Sequence, residues 1–148
     1  IEPQSREKIT LDVTPKAEDL RVDTKAEYHI LELVNAERAK VGAPPVKMDA
    51  KIVAVARTHS RDMFERRYFS HYSQEGEDAA DRMQKAGITF SIAGENLAYA
   101  PDVEAAHTGL MDSAGHKRNI LDPQFRRIGI GVIATDAWGL MITQNFAN

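Results

Sequence analysis

Three places in the chain combine reactive side chains with turn residues. The first is YFSHYSQEG, residues 68–76, where His71 stands among aromatic residues. The second is GENL, residues 94–97, where Glu95 follows a glycine. The third is DSAGHKRNIL, residues 112–121, where His116 follows Gly115 just past a predicted helix end. Intervals of 24 and 21 residues separate the three, so only the tertiary fold can bring them together. If it does, two chemistries open. Two neutral imidazoles and a carboxylate can bind Zn²⁺ and leave a position for water. Without metal, the carboxylate can orient an imidazole and raise its pKa, which makes an acid/base pair. A loop histidine is also commonly a surface or hydrogen-bonding residue, and that plainer reading stands beside both.

The remaining histidines read as structural. His59 lies on an apolar helical stripe between Ala56 and Met63, as a hydrogen-bonded core histidine would. His107 lies within a helix near Leu110, and His29 falls on a helix surface or flank. The serine beside His59 is no nucleophile for it, because adjacent helical residues point in different directions. Neither a GxSxG, an HExxH nor a P-loop pattern occurs.

The elements that must position these residues follow from period and punctuation. Thr24 and Glu27 have capping-box spacing, and an apolar stripe through Tyr28, Leu31, Val34 and Val41 predicts a helix ending at Gly42. Asp49 caps a second helix with Ile52, Val55, Ala56, His59 and Met63 on its stripe. Residues 68–76 read as a loop, 78–86 as a short helix closed by Gly87, and 90–99 as an extended stretch. Pro101-Asp102 opens a helix that runs to about Ser113. Two period-two runs, near 128–134 and 139–146, flank Asp136-Ala137 and predict an antiparallel hairpin. Gly129 and Gly131 leave one strand face nearly bare, so something packs closely there. Helices first and a hairpin last indicate α+β rather than a wound βαβ fold.

Residues 1–23 differ from the rest. They are polar, carry two prolines and show no sustained period. They read as an extension or linker that adds little to the core, with 24–148 as the folded domain. The 148 residues suffice for one domain with a real core, and a net charge of -3 gives no basic excess for nucleic acid. The absence of cysteine removes disulfides, thiolate metal sites and thiol catalysis. No apolar run is long enough to span a bilayer. The chain opens on Ile1 without a signal-like segment, so a leader or anchor could have been removed, or the piece could come from a longer chain.

Eight segments in order carry a resemblance to a known family. They are LVNAERAKVGAPPVKMD (33–49), ARTHSRDM (56–63), YFSH (68–71), RMQKAGI (82–88), GENLAYA (94–100), SAGHKRNIL (113–121), FRRIGIGV (125–132) and WGLMITQNF (138–146). Together they resemble the bacterial branch of the CAP superfamily, the SCP-like extracellular proteins. The resemblance spans about residues 27–148. It implies an α-β-α sandwich with a central, mainly antiparallel sheet, and a secreted or cell-surface location. It implies a cleft holding His71, Glu95 and His116. Ser113, with Asp112 adjacent, stands where many eukaryotic relatives carry a second glutamate, so the cluster is left with three residues. Asn35 and Arg38 match a segment whose role in the family is structural. Leu110 stands where bacterial relatives commonly have Trp, which changes the apolar wall of the cleft.

The family has no single activity, and a fold does not transfer one. Three readings follow. The leading one is an extracellular binding module whose cleft takes a divalent cation, Zn²⁺ above others, on His71, Glu95 and His116, together with a small or lipid ligand. The second is a metal-dependent hydrolase acting on peptide or cell-wall material. The third is a non-catalytic interaction domain.

Overall fold

The computed structural model describes residues 7–148. A two-residue strand β1 (Ile9–Thr10) and a 3₁₀ turn (Ala17–Asp19) lead to β2 (Arg21–Val22) and helix α1 (Thr24–Lys40). Then follow β3 (Lys47–Met48), α2 (Ala50–Glu65), β4 (Tyr68–Phe69), α3 (Ala79–Lys85) and β5 (Ala93–Ala100). The chain closes with α4 (Val103–Met111), α5 (Ala114–Leu121), β6 (Arg127–Ala134) and β7 (Leu140–Ala147).

The main sheet has the order β2-β6-β7-β5, all antiparallel, with β3 adding a short parallel pairing to β6. The predicted hairpin is therefore present as β6 and β7, and β7 is also paired along its whole length with β5. Even-numbered residues Ile128, Ile130 and Val132 of β6 join Ile142 and Phe146 of β7 in one apolar layer with α1, α4 and α5. The opposite face meets α2 and α3. Helices on both faces of this sheet make the expected α-β-α sandwich.

The bare strand face has its predicted use. A Cβ on Gly129 would lie 2.2 Å from the backbone of Ile52, and one on Gly131 would lie 2.2 Å from the backbone nitrogen of Arg57. The backbone of α2 thus rests directly on β6. Ser60 locks the contact by donating to the Gly131 carbonyl at 2.9 Å.

Asp49, Asp78 and Asp102 cap their helices through side-chain oxygens. At α1 the cap falls one residue earlier than predicted. Asp23, not Thr24, accepts from the Ala26 amide at 3.0 Å. Glu27 is instead buried and turned to the sheet, where it accepts from the Val132 amide at 3.1 Å and pairs with Arg57 at 2.6 Å. A long-range edge contact has taken the carboxylate that local spacing assigned to the helix end.

The expectation that residues 1–23 add little to the core needs correction over the described part. Val13 and Leu20 are buried with Met63, Phe64, Tyr68, Leu97, Ile133 and Met141. β1 pairs with β4, and β2 with β6. Two buried side chains and two short strands do this in a segment whose average composition is polar. Leu20→Ala should therefore lower the unfolding free energy by about 2–3 kcal/mol in urea titrations. A change below about 0.5 kcal/mol would return the segment to the status of a passive linker.

Candidate functional site

β5 is an edge strand, so Glu95 and Asn96 present their side chains to opposite faces beside an open margin. Glu95 points toward α3 and the loop after β4. Its side chain is fully buried. His71 donates from Nδ1 to Glu95 Oε1 at 2.8 Å. Arg82, on α3, donates to Glu95 Oε2 at 3.0 Å and to the His71 carbonyl at 2.6 Å. One guanidinium therefore clamps both the carboxylate and the backbone of the histidine it serves.

The electrostatics follow from this geometry. Burial alone would raise the Glu95 pKa, but the Arg82 charge and the His71 hydrogen bond outweigh it and hold the carboxyl at about 2. Glu95 is thus a fixed anion. Because it can only accept, the proton of the shared bond belongs to His71 Nδ1. When the ring is neutral, Nε2 keeps its lone pair, and it makes no hydrogen bond among the described residues. His71 is only half-buried.

His116 reaches the same strand from the other layer. It lies in α5, not in the loop predicted for it. Ser113 breaks α4 with an extended backbone (φ -105°, ψ 123°), and its carbonyl then accepts from Lys117 to start a new helix. The His116 carbonyl accepts from Asn96 at 3.1 Å. Asn119, one turn on, donates to the Glu95 carbonyl at 3.3 Å and to Asn96 Oδ1 at 2.9 Å. Helix α5 is thereby fastened to β5 at Glu95 and Asn96. Ser113 stands at the head of α5, half-buried, without a side-chain capping bond. Among the described residues, no group of three or more His, Asp and Glu side chains is arranged to hold a metal ion.

The other histidines take the structural places expected of them. His59 is buried below the site and donates from Nε2 to the Ser70 carbonyl at 2.8 Å. Burial lowers its pKa and keeps the ring neutral. His107 meets Glu37 at 3.0 Å between α4 and α1. His29 is partly exposed and stands 3.5 Å from Glu104. Arg82 is the residue that sequence reasoning missed. It lay within the recognised RMQKAGI segment, but nothing in its spacing ties it to a glutamate 13 residues on. A groove of about 520 Å³ runs between α2 and residues 73–86, and His59 and Arg82 both line it.

Comparison with known proteins places this architecture. The sequence matches CAP, the Cysteine-rich secretory protein family, over residues 31–146. YkwD of Bacillus subtilis is 38% identical over 121 residues, which covers 81% of this chain and 46% of that protein. The chain spans less than half the length of the curated relatives it matches. The crystal structure of an extracellular SCP-domain protein from Bacillus anthracis superposes with a TM-score of 0.77 at 34% identity, over 85% of this chain and 41% of that one. An outer surface protein of Borrelia burgdorferi gives a TM-score of 0.79 at 20% identity, over 86% of this chain and 97% of that one, a likeness of fold alone. The matched span runs from α1 into β7 and includes His71, Arg82, Glu95 and His116. No helix among the described residues is long and apolar enough to cross a membrane. The chain belongs to the CAP (cysteine-rich secretory protein) family.

Proposed function

We propose that the chain is an extracellular binding domain whose cleft takes a divalent cation on the imidazoles of His71 and His116. The observation that carries this reading is the 2.8 Å bond from His71 Nδ1 to Glu95, whose carboxyl is held ionised at neutral pH. Histidines that ligate metals ordinarily donate their other ring nitrogen to a carboxylate, which fixes tautomer and orientation. His71 has that support, and its Nε2 has no hydrogen-bond partner among the described residues. Imidazole nitrogen suits Zn²⁺ better than Mg²⁺, which prefers oxygen.

Glu95 itself does not fit the role of third ligand. Arg82 and His71 already engage its two oxygens, and a guanidinium beside them repels a cation. It serves as the orienting carboxylate, so the protein supplies two ligands and water fills the remaining positions. The part given to His116 rests on the resemblance; its helix is fastened to β5 beside Glu95. The groove beside His59 and Arg82 has the size of a small-molecule site and is the place for an organic ligand. The extracellular setting is supported by the Bacillus anthracis protein, which is named as extracellular.

Calorimetry with Zn²⁺ on chelator-treated protein tests the cation. Wild type should bind, and the His71→Ala/His116→Ala double variant should not. Binding should weaken as the pH falls through the imidazole range, because a protonated ring cannot ligate. Indistinguishable heats for the two proteins would refute the site.

A further inference from the structure

The loop that carries His71 is held from two sides. Arg82 holds it from α3. The N-terminal segment holds it from the other. Ile9 pairs with Phe69 and Thr10 with Tyr68, and the Leu11 amide donates to the Arg67 carbonyl at 3.0 Å. Lys8 reaches past the end of this small ladder. Its Nζ donates to the Ser73 carbonyl at 2.9 Å and to Gln74 at 3.4 Å, and it stands 5.7 Å above the ring of Tyr68. The contacts bracket His71, with residues 67–69 before it and 73–74 after it.

Two features make this bracket consequential. Arg67, which turns the chain from α2 into β4, has φ 58°, a left-handed conformation that costs a non-glycine residue energy. The turn therefore depends on its neighbours to persist. The ladder itself is only two residues long on each side, and Ile9 is 50% exposed. Such an element opens at small cost. Val13 and Leu20, downstream, are buried in a cluster that also holds Met63, Phe64, Ile133 and Met141, outside the ladder. Residues 8–11 can then come away while the remainder of the segment stays packed.

We propose that Lys8 and β1 form a strap that positions the His71 loop, so that displacing residues 8–11 loosens the cleft without unfolding the domain. Its link to cation affinity rests on the binding reading above. Lys8 and Ile9 are positioning residues: they touch the loop, never the imidazole. A molecule competing for β1 would thereby change the cleft from a distance.

Amide hydrogen exchange on the whole chain tests the strap. Lys8→Ala removes the ammonium, and Ile9→Pro removes a donor from the ladder. In both, exchange at Tyr72, Ser73 and Gly76 should quicken about tenfold while β6 and β7 amides stay as in wild type. Lys8→Arg should restore the slow rate. Unchanged loop exchange, or quickening of loop and sheet together, would overturn the proposal, since a merely structural role moves both. Zn²⁺ affinity of the same variants should fall about tenfold, in step with the loop. Unaltered affinity with a loosened loop would overturn the link to the cleft. If wild type takes up no Zn²⁺, the binding reading fails, and the exchange rates still judge the strap.

Discussion

Glu95→Gln should lower stability at neutral pH by about 3 kcal/mol, and the deficit should shrink as the solution is acidified. The folded carboxyl titrates at about 2 against an ordinary value of 4.5. A depressed folded pKa contributes stability that is fully present above the unfolded value and is lost as the pH falls through the folded one. The window therefore runs from about pH 5 down to about 2. Glutamine keeps the shape and removes the charge that Arg82 and His71 both face. Leaving a buried guanidinium without its counter-charge is the costly part. His59 adds a separate loss at milder pH. Burial holds its ring neutral, so the unfolded chain takes up that proton first as the pH drops below the ordinary imidazole value. Urea titrations of both proteins from pH 7 to pH 3 measure the gap. A variant within about 0.5 kcal/mol of wild type at pH 7, or a gap that stays constant in acid, would remove Glu95 as the charged keystone of the site. With the carboxylate gone, Zn²⁺ affinity should fall about 10–100-fold rather than vanish, as expected for an orienting partner.

The second large effect is expected far from the cleft. Arg38 is wholly buried and donates to four carbonyls: Pro44 at 2.7 Å, Ile120 at 2.9 Å, Asp122 at 2.8 Å and Phe125 at 2.9 Å. Burial lowers its pKa, yet guanidinium stays charged, because its ordinary value is so high. The side chain joins the end of α1 to the end of α5 and to the turn that enters β6. Arg38→Ala should cost about 3–5 kcal/mol, since it leaves several buried acceptors unpaired and opens a cavity. That is a large part of a domain's total stability. Arg38→Lys should recover only part of it, because one ammonium cannot span the same four oxygens. Urea midpoints decide the matter, and a loss under about 1 kcal/mol for Arg38→Ala would refute the staple. Should the alanine variant fail to fold, the lysine variant gives the same ordering. It should also weaken any metal binding that depends on His116, because Arg38 steadies the far end of the same helix.

The sequence spoke clearly where a local rule and the fold agreed. The hairpin was visible because Ile128, Ile130 and Val132 alternate with small residues that make room for α2. Asp49, Asp78 and Asp102 announced their helices because a cap is a contact within three residues. Glu27 misled because its partner, Val132, is 105 residues away and no periodic pattern records such a bond. Ile9, Leu11 and Val13 alternate over only three apolar positions, and the polar residues around them mask it. His116 was assigned to a loop because Ser113 and Gly115 read as a helix end, whereas Ser113 ends one helix and begins another. The meeting of His71 with Glu95 was legible through resemblance alone; Arg82, which sets the charge of the pair, was not legible at all.

The position of β7 in the sheet has a consequence for the order in which the protein is made. Strand β7, residues 140–147, is inserted between β5 and β6 and is hydrogen-bonded along its length to both. Every earlier element is synthesised before the strand against which the sheet is assembled. A chain growing from its N-terminus can form its helices and hold β6 ready, but β5 has no partner strand until residue 147 has emerged. Closure of the sheet therefore waits for β7, and the part of the domain made before it stays open while the chain is being extended.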